Sequence, residues 1–151
     1  MFAGDLWLRL IASGAGIRSI EFAPFSHVGA LANPTNPLLA EAARQLHAYF
    51  AGRLRRFDLP LDLAGTGFRR RVWMELTRIP YGETRSYQDV ARAVGAPNAV
   101  RAVGAANGAN PVPIVIPCHR VIGAGGKLVG YGGGLPLKRR LLALERGELF
   151  A

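Results

Sequence analysis

The chain of 151 residues has a single cysteine, Cys118. That excludes an internal disulfide framework and any cysteine-rich zinc site. It has no run approaching the roughly 18 to 20 consecutive apolar residues that a membrane helix needs. Its start, MFAGDLWLRL, has an acid at Asp5 and no basic stretch ahead of an apolar one. Neither a membrane span nor a secretory signal is therefore expected, and the cytoplasm is the expected location. Histidine is scarce, with His27, His47 and His119 the three present. His27 and His47 lack ligand spacing to nearby acids, so no metal site is expected. Acidic residues are few, with Asp+Glu 10 against Lys+Arg 19 and a net charge of +9. Half of the residues are hydrophobic and 19% are charged, a balance that argues against disorder and for one or two small compact domains.

The positive charge is unevenly spread. Residues 1–66 carry six basic and five acidic side chains, whereas 67–151 carry thirteen and five. A basic surface attracts polyanions through counterion release, so the second part of the chain is the candidate nucleic-acid surface. A generic solvated face is the plainer alternative.

Leu6–Ile11 and Ile17–Phe22, separated by Ser13-Gly14-Ala15-Gly16, read as a β-hairpin. Asn33-Pro34-Thr35-Asn36-Pro37 is a loop, and Pro37 suits the first turn of a helix running through Leu38, Leu39, Ala42, Leu46 and Phe50 to Gly52. The stretch from Arg53 to Gly67 reads as a connection, which places a boundary near residue 65, with domains at 1–65 and 66–151. Beyond it, Phe68, Val72 and Leu76 recur at helical spacing and stop before Pro80. Ser86-Tyr87-Gln88-Asp89 has the form of an N-cap with an acid at the third helical position, opening a short helix that ends at Gly95. A second helix follows from Val100 to about Asn107, and the pair is a helix-turn-helix candidate. Pro111–Pro117 is an apolar run bracketed by prolines, expected as a short strand or extended segment. Residues 123–134 hold seven glycines around Tyr131, and Pro136 starts a last helix from Leu137 to Arg146.

A lone cysteine is most often a small buried hydrophobe. Here the apolar run delivers Cys118 directly to His119 and Arg120, two groups able to stabilise a thiolate. Glu145 on the last helix has the chemistry to orient His119 as a third member.

Ile-Pro-Cys-His-Arg-Val-Ile at 116–122, with Arg101-Ala102-Val103-Gly104 and Asn110-Pro111-Val112-Pro113 ahead of it, resembles the active-site signature of the O6-alkylguanine-DNA alkyltransferases, over about residues 66–147. The resemblance implies an α/β (α+β) chain: a small ribonuclease-H-like α/β domain at 1–65, then a winged-helix-like domain at 66–151 that carries the helix-turn-helix. It implies Cys118 as acceptor nucleophile, activated by His119 through a bound water, with Glu145 behind His119. Tyr87 would donate toward the departing guanine and crowd the target phosphate. Arg101 would fill the gap left by the extruded base, with Ser86, Ala102 and Arg120 also on the DNA-binding surface. Asn110 would brace the turn before Cys118. Pro113 and Tyr131 would wall the base pocket, and the carbonyls of Cys118 and Val121 would accept from the guanine amine. At Gly132, where some members have a serine that reaches O6, only a backbone N–H remains.

The implied activity is direct repair. The protein, a monomer, would flip an O6-alkylguanine out of duplex DNA and take the alkyl group onto Cys118 in one turnover, without a cofactor. O4-alkylthymine is a second candidate substrate. Three other readings stay open on sequence alone: an alkyltransferase-like protein that binds lesions without chemistry, a helix-turn-helix regulator, and a cysteine hydrolase.

Overall fold

The computed structural model describes residues 6–22 and 36–148. Asp5, His27 and the 33–35 part of the expected loop lie outside these residues. The chain divides between Ala64 and Gly65 into two compact units.

In the first unit, β1 (Leu8–Ala12) and β2 (Ile17–Phe22) form an antiparallel hairpin, paired Leu8 to Phe22 and Leu10 to Ile20. Arg9 and Glu21 form a cross-strand ion pair on its exposed face. Helix α1 (Pro37–Phe50) packs beside β1. The Asn36 side chain caps it, accepting from the Leu38 and Leu39 amides at 2.9 and 3.1 Å, while Pro37 occupies the first turn, where its missing N–H is not needed. The segment expected only as a connection is pinned. Ile17 N donates to Pro60 O at 2.8 Å and Asp62 N to Ile17 O at 2.9 Å. Buried Gln45 of α1 exchanges two 2.9 Å hydrogen bonds with the backbone of Asp58. Gly16 is required by this approach, because a Cβ there would stand 2.7 Å from the Pro60 carbonyl oxygen.

The second unit is mainly helical. Helix α2 (Gly67–Leu76), capped by Thr66, buries Val72, Trp73 and Leu76. After it come the two-residue strand β3 (Arg85–Ser86), α3 (Tyr87–Ala93) and α4 (Val100–Gly108). Ser86 and Asp89 form a reciprocal capping box, as the sequence spacing suggested. Trp73 locks α2 to α4, its indole N–H donating to Ala106 O at 2.8 Å in the interior. A 3₁₀ turn (Cys118–Arg120), the two-residue strand β4 (Val121–Ile122), the glycine-rich loop and α5 (Leu135–Glu145) complete the unit. Strand β4 pairs parallel with β3, Arg85 to Val121 and Ser86 to Ile122. That ladder places the start of α3 beside the chain leaving Cys118.

The 111–117 run is a correction. It is buried, as its apolar sequence requires, but it is a tight turn rather than a strand. Ile116 N donates back to Val112 O at 2.9 Å, and Ile114 takes a positive φ of 75°. Prolines at 111, 113 and 117 remove the donors a ladder would use, so the chain folds on itself. Among the described residues, no helix is long and apolar enough to cross a membrane.

Candidate active site

The turn before the 3₁₀ segment is closed at both ends by one side chain. Asn110, just past α4, donates from Nδ2 to Ile116 O at 2.8 Å and accepts from Val112 N at 3.0 Å. A second amide, Asn107 on α4, reaches the Cys118 carbonyl at 3.5 Å. Cys118 is 5% exposed at the head of the 3₁₀ turn. Burial pushes its thiol up from the ordinary range, while the Asn110 hydrogen bond and the charge of Lys138 act the other way.

Behind the cysteine lies a buried polar cluster. His119 Nε2 is 2.7 Å from Glu145 Oε2. The Arg120 guanidinium grips the same carboxylate, with Nε to Oε1 at 2.8 Å and Nη2 to Oε2 at 3.0 Å, and donates to Ile79 O at 2.6 Å. The Gly82 amide adds a contact to Oε1 at 3.3 Å. Gly82 has φ +83° and a Cβ there would sit 3.2 Å from Glu145 O, so glycine is the residue that fits. Burial pushes the Glu145 carboxyl up, but the hydrogen bonds from His119 and Arg120 outweigh it and hold the group well below the usual carboxylate range. Burial pushes His119 down, against the pull of Glu145, which favours a neutral imidazole able to accept a proton.

Arg120 corrects the sequence expectation. The resemblance puts it on the DNA-binding surface, yet it is 6% exposed and its guanidinium is committed to Glu145 and Ile79. Burying an arginine is tolerable only with a carboxylate partner, and Glu145 is that partner. Its role is to hold the carboxylate behind His119.

Two phenols respond to the charge of Cys118. Tyr87, the first residue of α3, donates to Val129 O of the glycine-rich loop at 3.1 Å, and burial followed by the nearby Cys118 charge raises its pKa. Tyr131 on the loop is raised well above its ordinary value, first by burial, then by Cys118 and Glu145. The sequence reading missed Lys138. It is fully buried on α5, with Nζ donating to Val121 O at 2.8 Å and Gly130 O at 3.2 Å. The signal was available, because Lys138 and Glu145 are seven residues apart on one helix and so share a face. Asn107 was missed because it follows an apolar stretch with no motif of its own. Of the other expected residues, Arg101 and Ala102 stand exposed on the first turn of α4, Ser86 caps α3, Pro113 is buried in the turn, and Gly132 is exposed on the loop. His47 is an exposed residue of α1. Among the described residues, no group of three or more His, Cys, Asp and Glu is placed to hold a metal ion. The site brings together a thiol, an imidazole, a carboxylate and two phenols, groups with the chemistry for nucleophilic displacement and proton transfer.

The profile of the 6-O-methylguanine DNA methyltransferase DNA-binding domain matches residues 67–147, and that of the family's ribonuclease-like domain matches residues 4–63. A methylated-DNA–protein-cysteine methyltransferase from Mycolicibacterium paratuberculosis is 62% identical over 80% of this chain and 72% of its own length. The constitutive methylated-DNA–protein-cysteine methyltransferase of Bacillus subtilis is 57% identical over 73% of this chain and 67% of its own. Among solved structures, Mycobacterium tuberculosis OGT in complex with DNA aligns with a TM-score of 0.81 at 49% identity, covering 93% of this chain and 87% of that one. With both of the family's domains matched and 62% identity over 80% of the chain, the chain belongs to the 6-O-methylguanine DNA methyltransferase family.

Proposed function

We propose that this protein repairs alkylated DNA directly, moving the alkyl group of an O6-alkylguanine onto the sulfur of Cys118 in one irreversible turnover. The observation that carries this is the chain's one cysteine, at the head of a buried turn and followed directly by His119 with its Glu145 partner, in the unit that also holds the packed helix pair α3 and α4.

The chemistry is a displacement at carbon. The thiol proton passes through a bridging water to His119, whose imidazolium is stabilised by Glu145. The sulfur–carbon bond forms as the carbon–O6 bond breaks. Guanine leaves with the electron pair, and Tyr87 supplies a proton or hydrogen bond to it. Asn110 holds the turn that aims the sulfur. Pro113 and Tyr131 wall the base pocket, and the carbonyls of Cys118 and Val121 accept from the guanine amine. Val121 O already takes the Lys138 ammonium, and a carbonyl has a second lone pair for this purpose. At Gly132 the backbone N–H alone faces O6. No group in the 116–122 signature regenerates the thiol from the thioether, so in this reading each molecule acts once and no cofactor enters.

The duplex hides the lesion, so the nucleotide must be flipped at a cost of a few kcal/mol. Exposed Arg101 on α4 takes the vacated place in the stack, and Ser86 and Ala102 lie against the backbone. In this proposal the protein acts as a monomer in the cytoplasm, with a domain boundary near residue 65 and the chemistry in the C-terminal domain. The test is intact-protein mass after incubation with duplex DNA containing O6-methylguanine. One added methyl mapped to Cys118 is the expected result. An unmodified protein that binds the lesion would overturn transfer, as would preference for one operator sequence over the lesion.

A further inference from the structure

We propose that the cavity between the end of α2 and α3 is a docking site for a protein partner, taking a bulky apolar side chain from an acidic peptide segment. The proposal goes beyond the repair reading and does not depend on it.

The cavity has a volume of about 660 Å³, in the range of sites that enclose a ligand group. Its lining comes from α2, the turn after it, β3 and α3. Ile79 and Val90, which are 4% and 2% exposed, give it an apolar interior. Three arginines, Arg78, Arg85 and Arg92, complete much of the lining. Two carboxylates are also present, and each is engaged within the unit: Glu75 pairs with Arg78 at 3.1 Å, and Asp89 closes the capping box with Ser86. Arg78 still keeps most of its side chain in water, at 73% exposure. Arg92 is exposed on α3 and makes no ion pair among the described residues. Met74, the neighbour of Glu75 on α2, is 56% exposed, more than any other large apolar side chain among the described residues.

These features select the occupant. The outside of a duplex presents dense charge and no apolar group for Ile79 and Val90, and the carboxylates of Glu75 and Asp89 repel it. A peptide with a leucine or phenylalanine flanked by aspartate or glutamate fills the apolar interior and meets the arginines around it. Arginine suits that part, because its planar guanidinium receives a carboxylate bidentately while its stem covers apolar surface. The cavity is also joined to the acceptor site through the backbone: Arg120 donates to Ile79 O at 2.6 Å, and Arg85 pairs with Val121 in the β3–β4 ladder. A segment seated there rests against the support of the site, while Cys118 is outside the lining.

The test is selection of a phage library of random dodecapeptides on the full chain, followed by fluorescence anisotropy of the enriched sequences as labelled peptides. Enriched sequences are expected to combine a bulky apolar residue with two or more aspartates or glutamates. Their affinity is expected to fall about tenfold on Arg78→Glu and on Arg92→Glu, and as much on Ala93→Trp, which fills the cavity without changing its charge. Thermal midpoints check folding, and Arg78→Gln and Arg92→Gln replace a charge reversal that unfolds. No enrichment, enriched sequences without acids, or unchanged affinity on the folded variants would overturn the proposal. Weakened duplex binding by the arginine variants in the absence of any enriched peptide would also overturn it and make these arginines phosphate contacts. A wild-type protein that takes no methyl from DNA overturns the repair reading instead, and the peptide result stands apart from it.

Discussion

Glu145 organises the site at the scale of single residues, holding His119, Arg120 and the Gly82 amide with two oxygens. Replacing it by alanine strands a buried guanidinium, so Glu145→Ala is expected to lose about 3–5 kcal/mol in urea unfolding. Acid should act through the same residues. The Glu145 carboxyl titrates below its unfolded value of 4.5. Its contribution is therefore present above that pH and lost as pH falls toward the folded value. The His119 pKa is also lowered, from 6.5. Below that pH the unfolded chain takes up a proton that the folded one resists, which again removes stability on acidification. Wild-type stability followed from pH 7 to 3 should fall in two stages, and a Glu145→Gln protein should lack the lower one. The pairing itself was legible only in part. Glu145 has the right chemistry for His119, but 26 positions separate them, and nothing local to either says they meet. Arg120 reads from sequence as one more basic residue; burial alone turns it from a phosphate contact into a brace.

At the scale of elements, the helices were legible and the turn was not. The capping box at Ser86 and Asp89, the 3.6-residue recurrence of Phe68, Val72 and Leu76, and the proline at the start of α5 are local signals, and local interactions decide helix ends. Ser86→Ala is expected to cost about 1 kcal/mol in thermal or urea unfolding without DNA, through loss of the Asp89 amide's partner. The 111–117 turn escaped because an apolar run between prolines fits an extended segment equally well. What selects the turn is a side chain outside it, Asn110, and a positive φ at Ile114 that a β-branched residue adopts only when its surroundings impose it. Arg101, exposed on α4, tests the other face of the unit. Arg101→Ala should slow repair of duplex DNA at least tenfold, about 1.4 kcal/mol, while leaving reaction with free O6-benzylguanine nearly unchanged. Equal losses on both substrates would remove its part in base extrusion.

Across the whole molecule the governing quantity is charge. Of the net +9, the part beyond residue 66 has thirteen basic and five acidic side chains. Two of those cations, Arg120 and Lys138, are buried, so the exposed excess is smaller than the sequence count. Binding to duplex DNA should weaken with salt, with a log–log slope near −0.9 for each phosphate contacted. Fluorescence anisotropy between 50 and 200 mM salt reads that slope, and Lys138→Gln should leave it unchanged because a buried ammonium reaches no phosphate. Periodicity, caps and a single cysteine are properties of neighbouring residues, so the order of the elements, the basic character of the second unit and the acceptor cysteine can all be read along the chain. Which charges face solvent and which hold the site is settled by packing. Desolvation is set by what packs over a group, and the partners that make burial bearable for Arg120 and Lys138 come from distant parts of the chain.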